Sequence, residues 1–207
     1  MKVTHKDFLM ELKKSPGRFL SMLFIVALGV AFFSGIRASE PSMRVTGDAY
    51  FDGADLMDVK AVSTLGITRE DIQAFNEADT IEKAEGAYSA DVLSDTKDDQ
   101  FVLHMMTLPK NMNKVTVSKG RMPEKAGECL ADEEMDYKIC DRIVVKSGTD
   151  DPLSDTLTTD TYTVVGIGNS PCYISFNRGS TTIGKGTIDG FLVVSEDTFA
   201  LDTYTEA

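Results

Sequence analysis

Apolar and polar residues alternate in two distinct regimes along this chain. From Phe19 to Ile36 it reads FLSMLFIVALGVAFFSGI, eighteen residues without a charge, eleven of them Leu, Ile, Val or Phe. As a helix rising 1.5 Å per residue this stretch reaches about 27 Å, close to the ~30 Å hydrocarbon core of a bilayer. At about −0.3 to −0.6 kcal/mol each, its large apolar side chains favour insertion by roughly 3–7 kcal/mol. A buried helix of a soluble protein would show a polar face, and this one has none. A secretory signal has a shorter apolar region and small residues at its cleavage site, a pattern that Arg37-Ala38-Ser39-Glu40-Pro41 does not offer. The expectation is one retained transmembrane helix over residues 16–38, with a cleaved signal or a core helix as the alternatives. Ser15 as N-cap and Pro16 at the first helical position mark its start.

The flanking patterns are helical before the span and mixed after it. Residues 3–14, VTHKDFLMELKK, place Phe8, Leu9 and Leu12 on one face, with Glu11, Lys13 and Lys14 opposite. They predict a short cytoplasmic amphipathic helix within residues 1–15, lying in the membrane interface. Inside the span, Ala27, Ala31 and Gly35 recur every fourth residue, a small-residue stripe that either admits close approach of another helix or is merely apolar filler. Residues 44–207 read as an extracytoplasmic α+β domain. Strands are expected at Asp55–Leu65, Ile81–Leu93, Gln100–Leu108, Lys114–Val117, Ile143–Lys146, Tyr162–Ile167 and Phe191–Val194. Thr68-Arg69-Glu70-Asp71 resembles a capping box opening a short helix with Ile72 and Phe75 inward. Ser195 before Glu196-Asp197 reads as a second cap, and the tract from Gly148 to Asp160 as an exposed loop.

Charge sets the expected orientation. The total is −12, but five basic and two acidic residues before the span give +3, against −15 after it. Basic residues next to a span stay in the cytoplasm, so the N-terminus is expected inside and everything from about Ala38 outside, at the cell membrane. An outer segment this acidic is unsuited to nucleic acid or anionic headgroups. Cys129, Cys140 and Cys172 are an odd set; they read as ordinary small apolar side chains, with a Cys129–Cys140 bridge as the alternative.

Candidate chemistry is thin. Gly179-Ser180-Thr181-Thr182-Ile183-Gly184-Lys185-Gly186 has the spacing of a phosphate-binding loop. Gly186, however, stands where a hydroxyl must hold magnesium, and no helix start follows. A glycine-rich hairpin tip is the expected reading. Asp132, Glu133, Glu134 and Asp136, like Asp150 and Asp151, read as a solvated acidic surface. His104 has no suggestive neighbours in sequence. The chain therefore carries no catalytic constellation, metal-ligand set or cofactor motif, and it is expected not to be an enzyme.

Two groups of residues nevertheless carry a family resemblance. Lys13-Lys14-Ser15-Pro16-Gly17-Arg18-Phe19-Leu20-Ser21, running into IVALGVAFFSGIRAS, resembles the start of FtsX-like (MacB-type) permeases of ABC transporters, most of all the large Gram-positive forms. Tyr50-Phe51, Asp55-Leu56-Met57-Asp58 and Ser63-Thr64-Leu65-Gly66 resemble the opening of their extracytoplasmic domain. Gly120-Arg121-Met122-Pro123 with Gly127-Glu128 resembles its G-R-x-P…G-E turn, and Tyr162–Ile167 and Ile183–Gly186 follow in the same order. The resemblance implies a non-catalytic permease subunit with a MacB-like periplasmic core domain. Its partners would be a cytoplasmic ABC ATPase and further transmembrane helices of the full-length or a sister permease. Such permeases have at least four spans, so this reading expects the 207 residues to end inside the outer domain. Cys140 stands where that family would have a glycine turn. A complete single-pass sensor or binding domain is the alternative, and an anchored enzyme a third.

Overall fold

The computed structural model describes residue 10, residues 13–96 and residues 99–207, and it divides into two units, 1–50 and 51–207. The amphipathic helix expected over residues 3–14 lies almost wholly outside the described residues. In the first unit, helix α1 starts at Pro16, at the expected cap, and runs to Gly53 in the second. It does not stop where the apolar stretch stops. At 1.5 Å per residue its 38 residues extend about 57 Å, roughly twice the hydrocarbon thickness. Pro41 lies within the polar half, where Ser39 Oγ donates to Gly35 O at 2.9 Å and Arg44 reaches Glu40 at 3.4 Å. The helix ends on a Schellman-type turn. Asp55 adopts φ 47°, Leu56 N–H donates to Phe51 O, and Asp55 N–H donates to Asp52 O.

The second unit is α+β. A two-stranded sheet pairs β1 (Val62–Ile67) with β9 (Tyr204–Glu206). Between them in sequence lie α2 (Arg69–Asn76), β2 (Ser89–Asp95), β3 (Gln100–Met106), β4 (Thr116–Gly120), β5 (Glu128–Asp132), β6 (Arg142–Val144), β7 (Thr161–Asn169) and β8 (Gly190–Val194). These strands form one mixed sheet in the order β2-β3-β8-β5-β7-β4, with β6 also on β7. The pairs β3–β8 and β5–β7 are parallel and the others antiparallel.

Alternation along the central strands buries both faces. Leu103, Met105, Cys129, Ala131, Leu192 and Val194 point into the larger cluster, with Tyr162, Leu157 and Phe199. Met106, Leu130, Phe191 and Val193 point the other way and meet Tyr173 and Met122. Strands β5 and β8 are buried at every residue, so they carry no period-2 signal.

The capping box forms as the sequence predicts: Asp71 N–H donates to Thr68 Oγ1 at 3.2 Å, and Thr68 N–H to Asp71 Oδ2 at 2.8 Å. Other expectations need correction. The first strand begins at Val62 rather than Asp55, because only β9 is there to pair with it. The second begins at Ser89, because Asn76 holds Ala84 by its N–H and its carbonyl, both at 2.9 Å, and keeps residues 80–86 out of the sheet. The 148–160 tract is not wholly exposed: Leu157 is buried and bridges Phe199 after a 3-10 turn at Leu153–Asp155. Ser195 precedes a 3-10 turn, Glu196–Thr198, but its hydroxyl makes no capping bond.

The G-R-x-P…G-E residues close a single turn. Arg121 forks onto Glu128 at 2.8 and 2.7 Å, and Glu124 N–H donates to the same carboxylate at 3.1 Å. Gly120, at φ 77°, has no room for a side chain: a Cβ there would sit 2.2 Å from Val165 O. The Arg121 guanidinium, helped by that N–H, lowers the Glu128 pKa from its ordinary 4.5 to about 2. A depressed carboxylate stabilises the fold fully above the unfolded-state value, and that contribution is lost as pH falls through the folded value. Between pH 5 and pH 2 the wild-type melting temperature is therefore expected to fall more steeply than that of Glu128→Gln. Parallel slopes in thermal melts at stepped pH would contradict this.

Candidate functional site

The residues singled out for helix packing, Ala27, Ala31 and Gly35, all lie on the apolar half of α1, where no residue is buried. At 100° per residue, positions 27, 31 and 35 follow one face. A Cβ added at Gly35 or Gly29 would meet nothing within 4 Å. α1 is long and apolar enough to cross a membrane by length and composition, with a mean hydropathy of 2.4 over its best eighteen-residue window.

The phosphate-loop spacing resolves into a hairpin tip. Ser180 bridges Thr187, Gly179, Gly184 and Gly186 take positive φ, and the chain then enters β8 rather than a helix. Lys185 is held by Asp189 at 2.6 Å. The three cysteines are free. Cys129 is buried in β5, where desolvation pushes its thiol up to about 12, whereas Cys140 is exposed at φ 75°. The Cys129–Cys140 bridge is thus not formed, and Cys140 occupies the left-handed turn conformation that favours glycine.

The acidic cluster is only partly a solvated surface. Glu133 accepts from Ser118 Oγ at 2.9 Å and from Asn169. Asp132 is fully buried and forks onto Arg178, from Nε at 2.6 Å and Nη2 at 2.9 Å. Arg178 also donates to the carbonyls of Tyr173 and Ser175, and its guanidinium carbon lies 6.0 and 5.9 Å from the Tyr173 and Phe191 ring centroids. One arginine thereby fastens the loop after β7 to the sheet.

Neighbouring strands add a second polar pair. His104 on β3 pairs in register with Asp91 on β2 and Phe191 on β8, and His104 Nδ1 lies 2.6 Å from Asp91 Oδ1. Desolvation raises the Asp91 pKa, but the hydrogen bonds from His104 and Thr181 outweigh it and leave the carboxyl below its ordinary value. Such a pair orients an imidazole, yet no Ser or Cys side chain hydrogen-bonds the ring among the described residues. Likewise no group of three or more His, Cys, Asp or Glu among them is placed to hold a metal.

An open groove of about 750 Å³ lies within the second unit. Its walls are residues 55–61 and 80–85, and Phe75 of α2, Pro109, residues 111–114 and the segment around Glu206 also line it. Neither wall is a regular strand in its groove-facing part, so sequence periodicity carries no signal for it. No protein-family profile, curated protein or solved structure matches the chain.

Proposed function

We propose that this chain is part of a non-catalytic permease subunit of an ABC transporter, of the FtsX-like, MacB type. A separate cytoplasmic ATPase would hydrolyse ATP, and α1, with sister helices, would transmit that work to the outer α+β domain for export, lipoprotein or peptide handling, or envelope regulation. The observation that carries the reading is α1: a charge-free stretch exposed all round, preceded by basic residues, which needs lipid or other helices to cover it. The ordered sequence resemblance supports it. Purification from host membranes in mild detergent should recover the chain with an ABC ATPase in fixed ratio. Recovery of the chain alone would favour a single-pass anchored sensor or binding domain, the reading that the open groove supports.

The orientation is testable through a natural reporter. Cys140 is exposed, so an impermeant maleimide is expected to label it in intact cells, and Cys140→Ser should remove that label. Lys13→Cys in the Cys140→Ser background should react only after permeabilisation. The opposite pattern would invert the topology and remove the permease reading.

A further inference from the structure

The groove in residues 51–207 offers backbone, apolar and charged groups that are not used within the fold. On one wall, the N–H and C=O groups of Asp58, Val59 and Lys60 make no hydrogen bond among the described residues; on the other, the same holds for Glu82 and Lys83. Both walls are fixed at their ends. Met57 N–H donates to Asn113 Oδ1 at 3.0 Å, and Ala61 and Ala207 exchange bonds at 2.8 and 3.0 Å. Asn76 grips Ala84 on the far side. Free peptide groups between fixed points form a template that another chain can pair with.

The side chains narrow the choice of occupant. Phe75, Met57, Ile81 and Met112 supply apolar lining. Three lysines line the groove, and each is already held by a carboxylate: Lys60 by Glu206, Lys83 by Glu85 at 2.9 Å, and Lys114 by Asp55. Asp58 and Glu82 have no ion-pair partner among the described residues, one on each wall. The groove thus keeps an excess of two carboxylates, which disfavours phosphate, nucleic acid or an acidic peptide and complements a basic ligand.

We propose that this groove docks an extended polypeptide segment of alternating apolar and basic residues. Its backbone pairs with the free peptide groups of the walls, its apolar side chains pack toward Phe75 and Ile81, and its Lys or Arg side chains meet Asp58 and Glu82. The proposal goes beyond the permease reading and stands without it, because every residue it uses lies in the second unit.

The probe is the pentapeptide Val-Lys-Val-Lys-Val-amide carrying tetramethylrhodamine on its N-terminal amine, titrated with the full chain in neutral detergent and read by fluorescence anisotropy. Saturable binding is expected. The double variant Asp58→Asn/Glu82→Gln should weaken it about tenfold, in line with the loss of two rim ion pairs. N-methylation of the probe's backbone, which leaves its charge unchanged, should abolish binding. Tyrosine fluorescence confirms that the variant remains folded. The proposal is overturned if the wild-type chain shows no saturation at millimolar concentration, or if penta-lysine binds as tightly. It is equally overturned if the double variant and the N-methylated probe both bind like the parent pair. A dimer by sedimentation that the double variant dissociates, with no binding of the probe, would assign the groove to a second copy of this chain and overturn it as well.

Discussion

Arg178→Ala is expected to lower the stability of the second unit by about 3–5 kcal/mol, the cost of leaving one member of a buried ion pair alone. Asp132 is fully enclosed and the Arg178 side chain is only 4% exposed, so water replaces neither partner readily. The substitution strands a fully buried carboxylate and frees two carbonyls that the guanidinium holds. Denaturant unfolding followed by tyrosine fluorescence measures the loss, since the chain has six tyrosines and no tryptophan. A paired apolar replacement, Asp132→Leu with Arg178→Met, should recover most of the stability, because it removes the desolvation cost along with the attraction. A loss below about 1 kcal/mol for Arg178→Ala would mean that the loop after β7 is held by other contacts.

The second large effect concerns the proposed membrane span in α1. Replacing residues 19–36 by leucine is expected to preserve membrane insertion, since leucine inserts better than alanine or glycine. Under the proposed permease reading it should abolish coupling to the proposed ATPase partner, because the close backbone approach that Ala27, Ala31 and Gly35 would allow is lost. Ala31→Leu alone should act in the same direction, and Leu28→Ile should be near neutral. The readout is ATP hydrolysis by the co-purified complex in nanodiscs. Undiminished hydrolysis with the polyleucine span would leave α1 as a plain anchor and support the sensor reading.

Parts of this fold are legible in the sequence because their signals are local. The start of α1 is set by Ser15 and Pro16, the α2 cap by Thr68 and Asp71, and β2 and β3 by the two strand-sized runs that end at Leu93 and begin at Gln100. Other parts depend on distant partners. Strand β5, ECLAD, shows no alternation because neighbours on both faces cover it. Its Asp132 looks like one of four surface acids until Arg178, 46 residues later, closes over it. His104 acquires Asp91 as a partner only through strand register. The groove left no mark at all, since its walls are defined by bonds they do not make.

The pairing of β1 with β9 has a consequence for biogenesis. Val62 meets Glu206 and Leu103 meets Gly190, so neither sheet can be completed until nearly all of the second unit has been synthesised. At roughly 5–20 residues per second, β1 waits about 7–30 s for its partner. Throughout that interval it is a nascent strand with Val62 and Leu65 uncovered; both remain largely exposed even in the finished fold. With so many contacts between distant residues, folding belongs to the slow, non-local class. Under the proposed topology this wait takes place outside the cell, beyond the reach of ATP-driven chaperones, so a passive holding factor at the membrane surface would raise the yield of folded protein.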